Sequence, residues 1–507
     1  MKLLSAVLLS IYALHASAAS VVHLDVRNKD CSTCCAILKQ KLSSKVSFPG
    51  DAVYDEEKVD YYSASVADQE PACRVTPESA QDVSTTLNVL VQNECQFAVT
   101  SGGHNPWPNM SNIGSPGVTI DMGNMSTVTL FESTDGSPPL AGIGPGGRWD
   151  KVYDELDKYN LTALGGRSTG VGVGGYLLGG GISWANAQSG LAAQNIVNYE
   201  IVFADGTIAN VNASSFPDLH KALDGGSTNF GIITRYDVKT YPLVPLWGGF
   251  RNYDLSQQAA LINATLISMR EQHTDTRVGG AIFSYLRPMN STDVALAVLV
   301  AYFNGDGPQN GSFQDIIDVP FLPDTDLFKN NTNQQNLAGQ VNDRFEGGNR
   351  ALFSTLTFEG DLQYPQDVFA YAEESFNARF ENLPNISYGL SFQANSKAVW
   401  QKVASMPNYQ NVETERDLIL FVLVTYSTNP ENDDALNEWH HEVIDWMTEQ
   451  ARERGLLSDF LYMNYARPDQ AVFESYGADN HAELKAIKQK YDPENVFGRL
   501  WPGGWKL

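Results

Sequence analysis

Nine glycines fall between Leu161 and Trp184: Gly165, Gly166, Gly170, Gly172, Gly174, Gly175, Gly179, Gly180 and Gly181. Backbone this rich in glycine loses too much conformational entropy to propagate a helix, so the stretch is expected to be irregular. The spacing G-x-G-x-x-G occurs formally at Gly170, Gly172 and Gly175. A dinucleotide fingerprint, however, follows a strand and opens a helix, whereas Tyr176-Leu177-Leu178 runs directly into three more glycines. A flexible linker does not fit either, because Val171, Val173, Tyr176, Leu177, Leu178 and Trp184 are too apolar to remain in water. What fits is an ordered loop lying close against a ligand, its N–H groups facing that ligand with no side chains between.

A second glycine turn precedes it. In Phe97 to Met122, FAVTSGGHNPWPNMSNIGSPGVTIDM, a strand-like run ends at Ser101-Gly102-Gly103-His104, which reads as a sharp turn presenting a histidine. Around these two turns the sequence alternates short elements. A helix is expected from Pro77 onward, with Val83, Leu87, Leu90 and Val91 on one face, and another over Arg148 to Lys158. Strands are expected at Val118 to Asp121, Leu140 to Gly144, Ile196 to Ala204 and Gly231 to Tyr241, with Asp205-Gly206 as a hairpin turn.

Beyond Pro242 the texture changes. Apolar runs at Val278 to Leu286, Val294 to Phe303, Leu352 to Phe358 and Leu418 to Tyr426 alternate with helical stretches at Tyr364 to Phe380 and Ala435 to Arg454. This pattern predicts an α+β chain whose second domain is an antiparallel sheet with helices. At 507 residues, two domains are the natural expectation.

Met1 to Ala18 reads as a secretory leader: Lys2, an apolar middle from Leu3 to Leu14, and Ala16-Ser17-Ala18 at the cleavage position. Asn-x-Ser/Thr triplets beginning at Asn109, Asn124, Asn160, Asn212, Asn263, Asn290, Asn310, Asn330 and Asn385 suit a secreted, glycosylated protein. The five cysteines, Cys31, Cys34, Cys35, Cys73 and Cys95, then read as disulfides tying down the N-terminal segment, with one cysteine left over. A net charge of -25 argues against nucleic acid and anionic membrane partners and leaves a neutral or cationic small substrate as the better fit. No spacing supports a metal site. His440 and His441 read as surface positions of a helix, and His220 and His481 also fall in helix-like sequence.

Taken in order, several segments resemble one family. Ser101-Gly-Gly-His104, Val118-Thr-Ile-Asp121, Gly165-Gly-Arg-Ser-Thr-Gly-Val-Gly-Val-Gly-Gly175 with Gly179-Gly-Gly181, and Asp218 to Gly231 resemble the PCMH-type FAD-binding domain of berberine bridge enzyme-like oxidases, in the vanillyl-alcohol-oxidase superfamily. The tail agrees through Tyr462-Met-Asn-Tyr465, Tyr476-Gly477 and Asp492-Pro-Glu-Asn-Val-Phe497. The resemblance implies a flavin domain from 65–242, joined by 19–64 and by a returning segment at 458–507, with a substrate domain at 243–457.

It also implies the site. The residues expected to bind FAD are Ser101, Gly102, Gly103, His104, Asn105, Gly166, Arg167, Ser168, Thr169, Val171, Gly172, Gly174, Gly175, Gly179 and Asn464. The family histidine matching His104 is bonded to the 8-methyl carbon of the flavin ring. Many members add a bond from a cysteine at the position held here by Ser168, whose hydroxyl cannot do that chemistry, so a single linkage through His104 is expected. Val171 resembles the residue of members that use molecular oxygen.

Similarity points to Tyr465 as the base. A free tyrosine ionises near pH 10, and moving that to about 7 costs about 4 kcal/mol, so a nearby cation would help. If Leu461 to Ala466 is a strand, Arg467 is in reach to supply it, although the family commonly has Arg-Asp after this tyrosine and this chain has Ala466-Arg467. The implied activity is an FAD-dependent oxidase that takes hydride from a sugar, alcohol or secondary metabolite and gives hydrogen peroxide. A dehydrogenase, an oxidative cyclase and a non-catalytic binding protein are the alternatives. Tyr285, Tyr302, Trp400 and Tyr426 are available to stack on substrate, and the oligomeric state is left open.

Overall fold

The computed structural model describes residues 31–132, 137–342, 348–380 and 383–507; the expected leader lies outside them. Disulfides Cys31–Cys95 and Cys35–Cys73 fasten the helix Ser32–Leu42 to the body, and Cys34 is a buried free thiol. Behind it is a four-stranded sheet in the order Val46–Ser47, Cys73–Val75, Val118–Asp121, Phe97–Thr100, whose last three strands are parallel. The helix Ala80–Gln92 makes the crossover, capped by Ser79, whose hydroxyl accepts from the Asp82 amide. The Ser101 to His104 turn therefore sits at the carboxyl edge of a parallel sheet.

A five-stranded antiparallel sheet follows, in the order Val128–Phe131, Leu140–Ile143, Ile232–Lys239, Ile196–Val202, Ile208–Asn212. The helix Trp149–Asp157 ends as expected, with Asn160 at φ +55° just beyond it. The glycine stretch contains more regular structure than expected, since Val173–Leu178 forms a helix. It is held to six residues because Gly179 stops it, and its start is fixed by Val173 N–H donating to Gly147 O at 2.9 Å.

The third sheet has eight strands, all antiparallel, in the order Lys329–Thr332, Leu246–Tyr253, Ala295–Tyr302, Val278–Arg287, Ile386–Asn395, Leu418–Ser427, Arg350–Glu359, Leu457–Ser458. One face carries Phe283, Tyr285, Leu390, Phe392, Ile419 and Phe421 and is packed by the helices Gln258–Glu271, Tyr364–Phe380 and Asp433–Glu453. Strand alternation sends Ile282, Ser284, Ser391, Gln393, Val422 and Val424 to the other face, toward the glycine-rich half. His440, expected at the surface, is instead buried under this sheet. Its two ring nitrogens contact Ser354 Oγ at 2.7 Å and Thr425 Oγ1 at 2.9 Å.

The tail returns to the glycine-rich half. The strand expected over Leu461 to Ala466 is a 3-10 turn at Met463–Tyr465, closed by Tyr465 N–H to Tyr462 O at 3.0 Å and Ala466 N–H to Met463 O at 3.1 Å. His481, read as helix-like, lies in a helix spanning Ala478–Tyr491.

Candidate active site

Between the open face of the eight-stranded sheet and the glycine-rich segments lies a cavity of about 370 Å³. Its floor is backbone against backbone. A Cβ on Gly102 would stand 2.4 Å from Gly172 Cα, so only glycine lets these two turns meet. Ser101 Oγ locks the contact, donating to Pro145 O and accepting from Gly174 N–H at 3.0 Å. Gly103 takes φ +66°, and its carbonyl accepts from Tyr62 N–H at 3.0 Å. Beside it the Tyr62 ring stacks on His104, centroids 4.0 Å apart at 16°. Burial holds the His104 imidazole pKa down to about 4, so the ring is neutral at ordinary pH with a lone pair available.

Asn464 closes the far side of the glycine wall. Its amide donates to Tyr176 O and to Tyr462 Oη, both at 3.0 Å, and it lies so close to Gly179 that a Cβ there would be 2.1 Å from its Oδ1. Tyr462 Oη in turn accepts from Ile182 N–H at 3.0 Å. The same 3-10 turn aims Tyr465 into the cavity, where Arg167 Nη2 donates to its hydroxyl oxygen at 3.0 Å and also to Gln393 Oε1.

Every residue expected to hold the cofactor lines this cavity except Thr169. Arg467 does not line it either. It turns away to donate to Ser354 Oγ at 3.2 Å and toward His441 Nδ1 at 3.0 Å while pairing with Asp469. The cation beside Tyr465 is thus Arg167. Of the four aromatic residues considered for substrate, Tyr426 lines the cavity, whereas Tyr285 and Tyr302 are core to the large sheet and Trp400 to the glycine-rich half. Tyr62 and Gln393 were not foreseen, because neither belongs to a glycine motif. Their only sequence signals are a Tyr-Tyr pair and a polar residue in an apolar strand.

The site fits FAD. Gly175 presents open space where a Cβ would be, an unobstructed cradle on the glycine wall. Among the described residues lining the cavity there is no Asp or Glu, and Arg167 is the one permanently charged side chain, so an anionic diphosphate meets no like charge. Among the described residues, no cluster of three or more His, Cys, Asp or Glu could hold a metal ion.

The sequence profile described as FAD binding domain matches residues 71–212, and that described as Berberine and berberine like matches residues 461–499. The FAD-dependent monooxygenase tpcD of Cochliobolus heterostrophus is 32% identical over 518 residues, 98% of each chain. The FAD-dependent monooxygenase drtC of Aspergillus calidoustus is 31% identical over 495 residues, 94% of this chain and 90% of that one. Among solved structures, 6-hydroxy-D-nicotine oxidase from Arthrobacter nicotinovorans has a TM-score of 0.72 at 22% identity, covering 90% of this chain and 96% of that chain. Berberine bridge enzyme from Eschscholzia californica has 0.69 at 19%, covering 92% and 97%.

Fold and site together define an FAD-linked oxidoreductase with a two-domain α+β architecture. The chain belongs to the berberine bridge enzyme-like family of PCMH-type flavoproteins.

Proposed function

We propose that the protein is a secreted oxidase that converts an alcohol to a carbonyl compound, with molecular oxygen as the final acceptor and hydrogen peroxide as the second product. The observation carrying this reading is the Arg167–Tyr465 contact in the lining of a glycine-walled cavity. FAD, which the glycine turns around Gly102 and Gly172 would hold, would supply the hydride acceptor and the route for the electrons to oxygen. Tyr465 removes the hydroxyl proton, and the guanidinium of Arg167 stabilises the phenolate that must accept it. Gln393, held by the same guanidinium, orients the pair.

In this reading His104 tethers the flavin covalently. Its neutral imidazole is a competent nucleophile, and Ser168, which also lines the cavity, leaves it the single tether. Val171, another lining residue, supports access for oxygen. The leader at Met1 to Ala18 supports secretion, as do glycosylation triplets at exposed Asn109, Asn124, Asn160, Asn263, Asn290, Asn310 and Asn330. The cofactor would occupy 65–242 with 458–507, and the substrate 243–457.

The test is anaerobic mixing of the yellow protein with alcohols, sugars and amines, followed by air. Bleaching, then recovery with stoichiometric peroxide, is the expected result, and a colourless protein, or one that no compound bleaches, would overturn the reading. The names of the fungal relatives favour a second reading, oxygen insertion. Labelled oxygen entering the product in place of peroxide release would establish it.

A further inference from the structure

We infer that the substrate is an apolar fused-ring alcohol without positive charge, bearing a second oxygen about two ring widths from the reacting hydroxyl. This rests on the reading of the site as an alcohol-oxidising flavin site and names its substrate.

The wall opposite the glycine segments is built from Phe250, Ile282, Leu286, Phe353, Val422 and Val424. A saccharide would bring several hydroxyls against these side chains, each needing a partner that aliphatic and phenyl groups do not provide. A flat ring system needs none. The protein carries -25 overall, yet among the described residues no carboxylate lines the cavity, so an ammonium substrate meets Arg167 with no described carboxylate to balance it. The net charge belongs to the exterior and does not describe the substrate.

Polar groups interrupt the apolar wall at Gln393, at the Ser284–Ser391 pair and at Tyr426, whose hydroxyl is paired with that of Tyr62; the first two lie on one strand pair and set the spacing. Gln393 stands beside Arg167 and Tyr465 and marks where the reacting hydroxyl sits. Ser391 lies two residues back along the same strand, on the same face, and pairs with Ser284 across the ladder at 2.8 Å. One of these two hydroxyls donates to the other, which leaves a second O–H free to donate into the cavity. At roughly 3.4 Å per strand residue, Ser391 and Gln393 are about 7 Å apart, near the span of two fused six-membered rings. The reaction breaks the carbinol C–H and O–H bonds and forms C=O. The proton goes to Tyr465, and the electron pair leaves as hydride to the flavin and then to oxygen.

The holoenzyme is titrated by calorimetry with 6-methoxy-2-naphthalenemethanol, 2-naphthalenemethanol, (2-naphthylmethyl)trimethylammonium and cellobiose. The methoxy alcohol should bind about tenfold more tightly than the parent alcohol, and both at least tenfold more tightly than the ammonium compound or the sugar. In Ser391→Ala the two alcohols should bind within about twofold of each other. Equal or tighter binding of cellobiose or the ammonium compound overturns the inference, as does an unchanged methoxy preference in Ser391→Ala. Calorimetry reads binding whether or not the protein is yellow, so failure of the flavin reading would show separately as missing colour.

Discussion

Arg167 and Tyr465, 298 residues apart in sequence, meet through an Nη2 to Oη hydrogen bond of 3.0 Å that joins the glycine section to the returning tail. If this contact creates the base, removing the phenol oxygen should cost more than removing its partner. Tyr465→Phe is expected to slow anaerobic flavin reduction by about 10² to 10⁴ fold, the usual worth of a general base. Arg167→Met should slow it by roughly 10 to 100 fold, the worth of one charged hydrogen bond. Stopped-flow traces that match wild type in Tyr465→Phe would remove it from the mechanism.

Arg467 should behave differently, because it holds structure and not substrate. Its partners are Ser354, His441 and Asp469, outside the cavity. Arg467→Met is expected to lower unfolding stability by about 2 kcal/mol while leaving flavin reduction within threefold. A rate loss as large as that of Arg167→Met, without a lower Tm, would restore Arg467 as the catalytic cation.

The contrast between these arginines shows what the sequence could carry. Periodic elements were legible: Tyr364–Phe380 forms as expected, and Val278–Arg287 and Leu418–Ser427 follow their apolar runs within a residue or two. The glycine turns were legible as well, because only glycine permits such backbone. Partnerships between distant residues were not. Leu461 to Ala466 looks strand-like, but Tyr462 and Asn464 are spoken for by Ile182 and Tyr176, far away in sequence, and the chain turns to reach them. That turn swings Tyr465 toward Arg167 and Arg467 away from it. His440 looked like a surface histidine for the same reason, since Ser354 and Thr425, which satisfy it, lie on other elements.

The proposed tether predicts where colour goes when the protein is precipitated in acid. In wild type the flavin should stay with the pellet; in His104→Ala it should pass to the supernatant. Adding Ser168→Cys to that variant should return colour to the pellet, because a thiolate can form the bond that the serine hydroxyl cannot. Flavin still in the pellet of His104→Ala alone would refute attachment through this histidine.

Asp224 makes stability depend on pH. Burial pushes its carboxyl pKa up to about 8, opposed by the Gln410 amide, which donates to Oδ1 at 2.8 Å. The unfolded chain ionises near 4, so this group's contribution is complete below about pH 4 and is lost as pH rises toward 8. Asp224→Asn keeps the Gln410 bond and removes the titration. Relative to wild type it should gain stability from pH 4 to 8, by up to about 1.4 kcal/mol per pH unit. Parallel denaturation curves for the two proteins across this range would contradict the assignment.

Two glycines of the same wall should respond oppositely to alanine. A Cβ at Gly102 meets Gly172 Cα at 2.4 Å, and backbone on both sides cannot yield, so Gly102→Ala should destabilise by about 1 to 3 kcal/mol or more, as overpacking does. Gly175 lies in the helix Val173–Leu178 with nothing within 4 Å of an added Cβ. There alanine should raise the stability of the cofactor-free protein by about 0.5 to 1 kcal/mol, the ordinary helix gain. The same methyl projects into the space proposed for FAD, so Gly175→Ala should be purified with less flavin per chain than wild type. The ratio of visible to ultraviolet absorbance measures this directly. Full flavin content in Gly175→Ala would mean that the cofactor does not lie against this part of the wall.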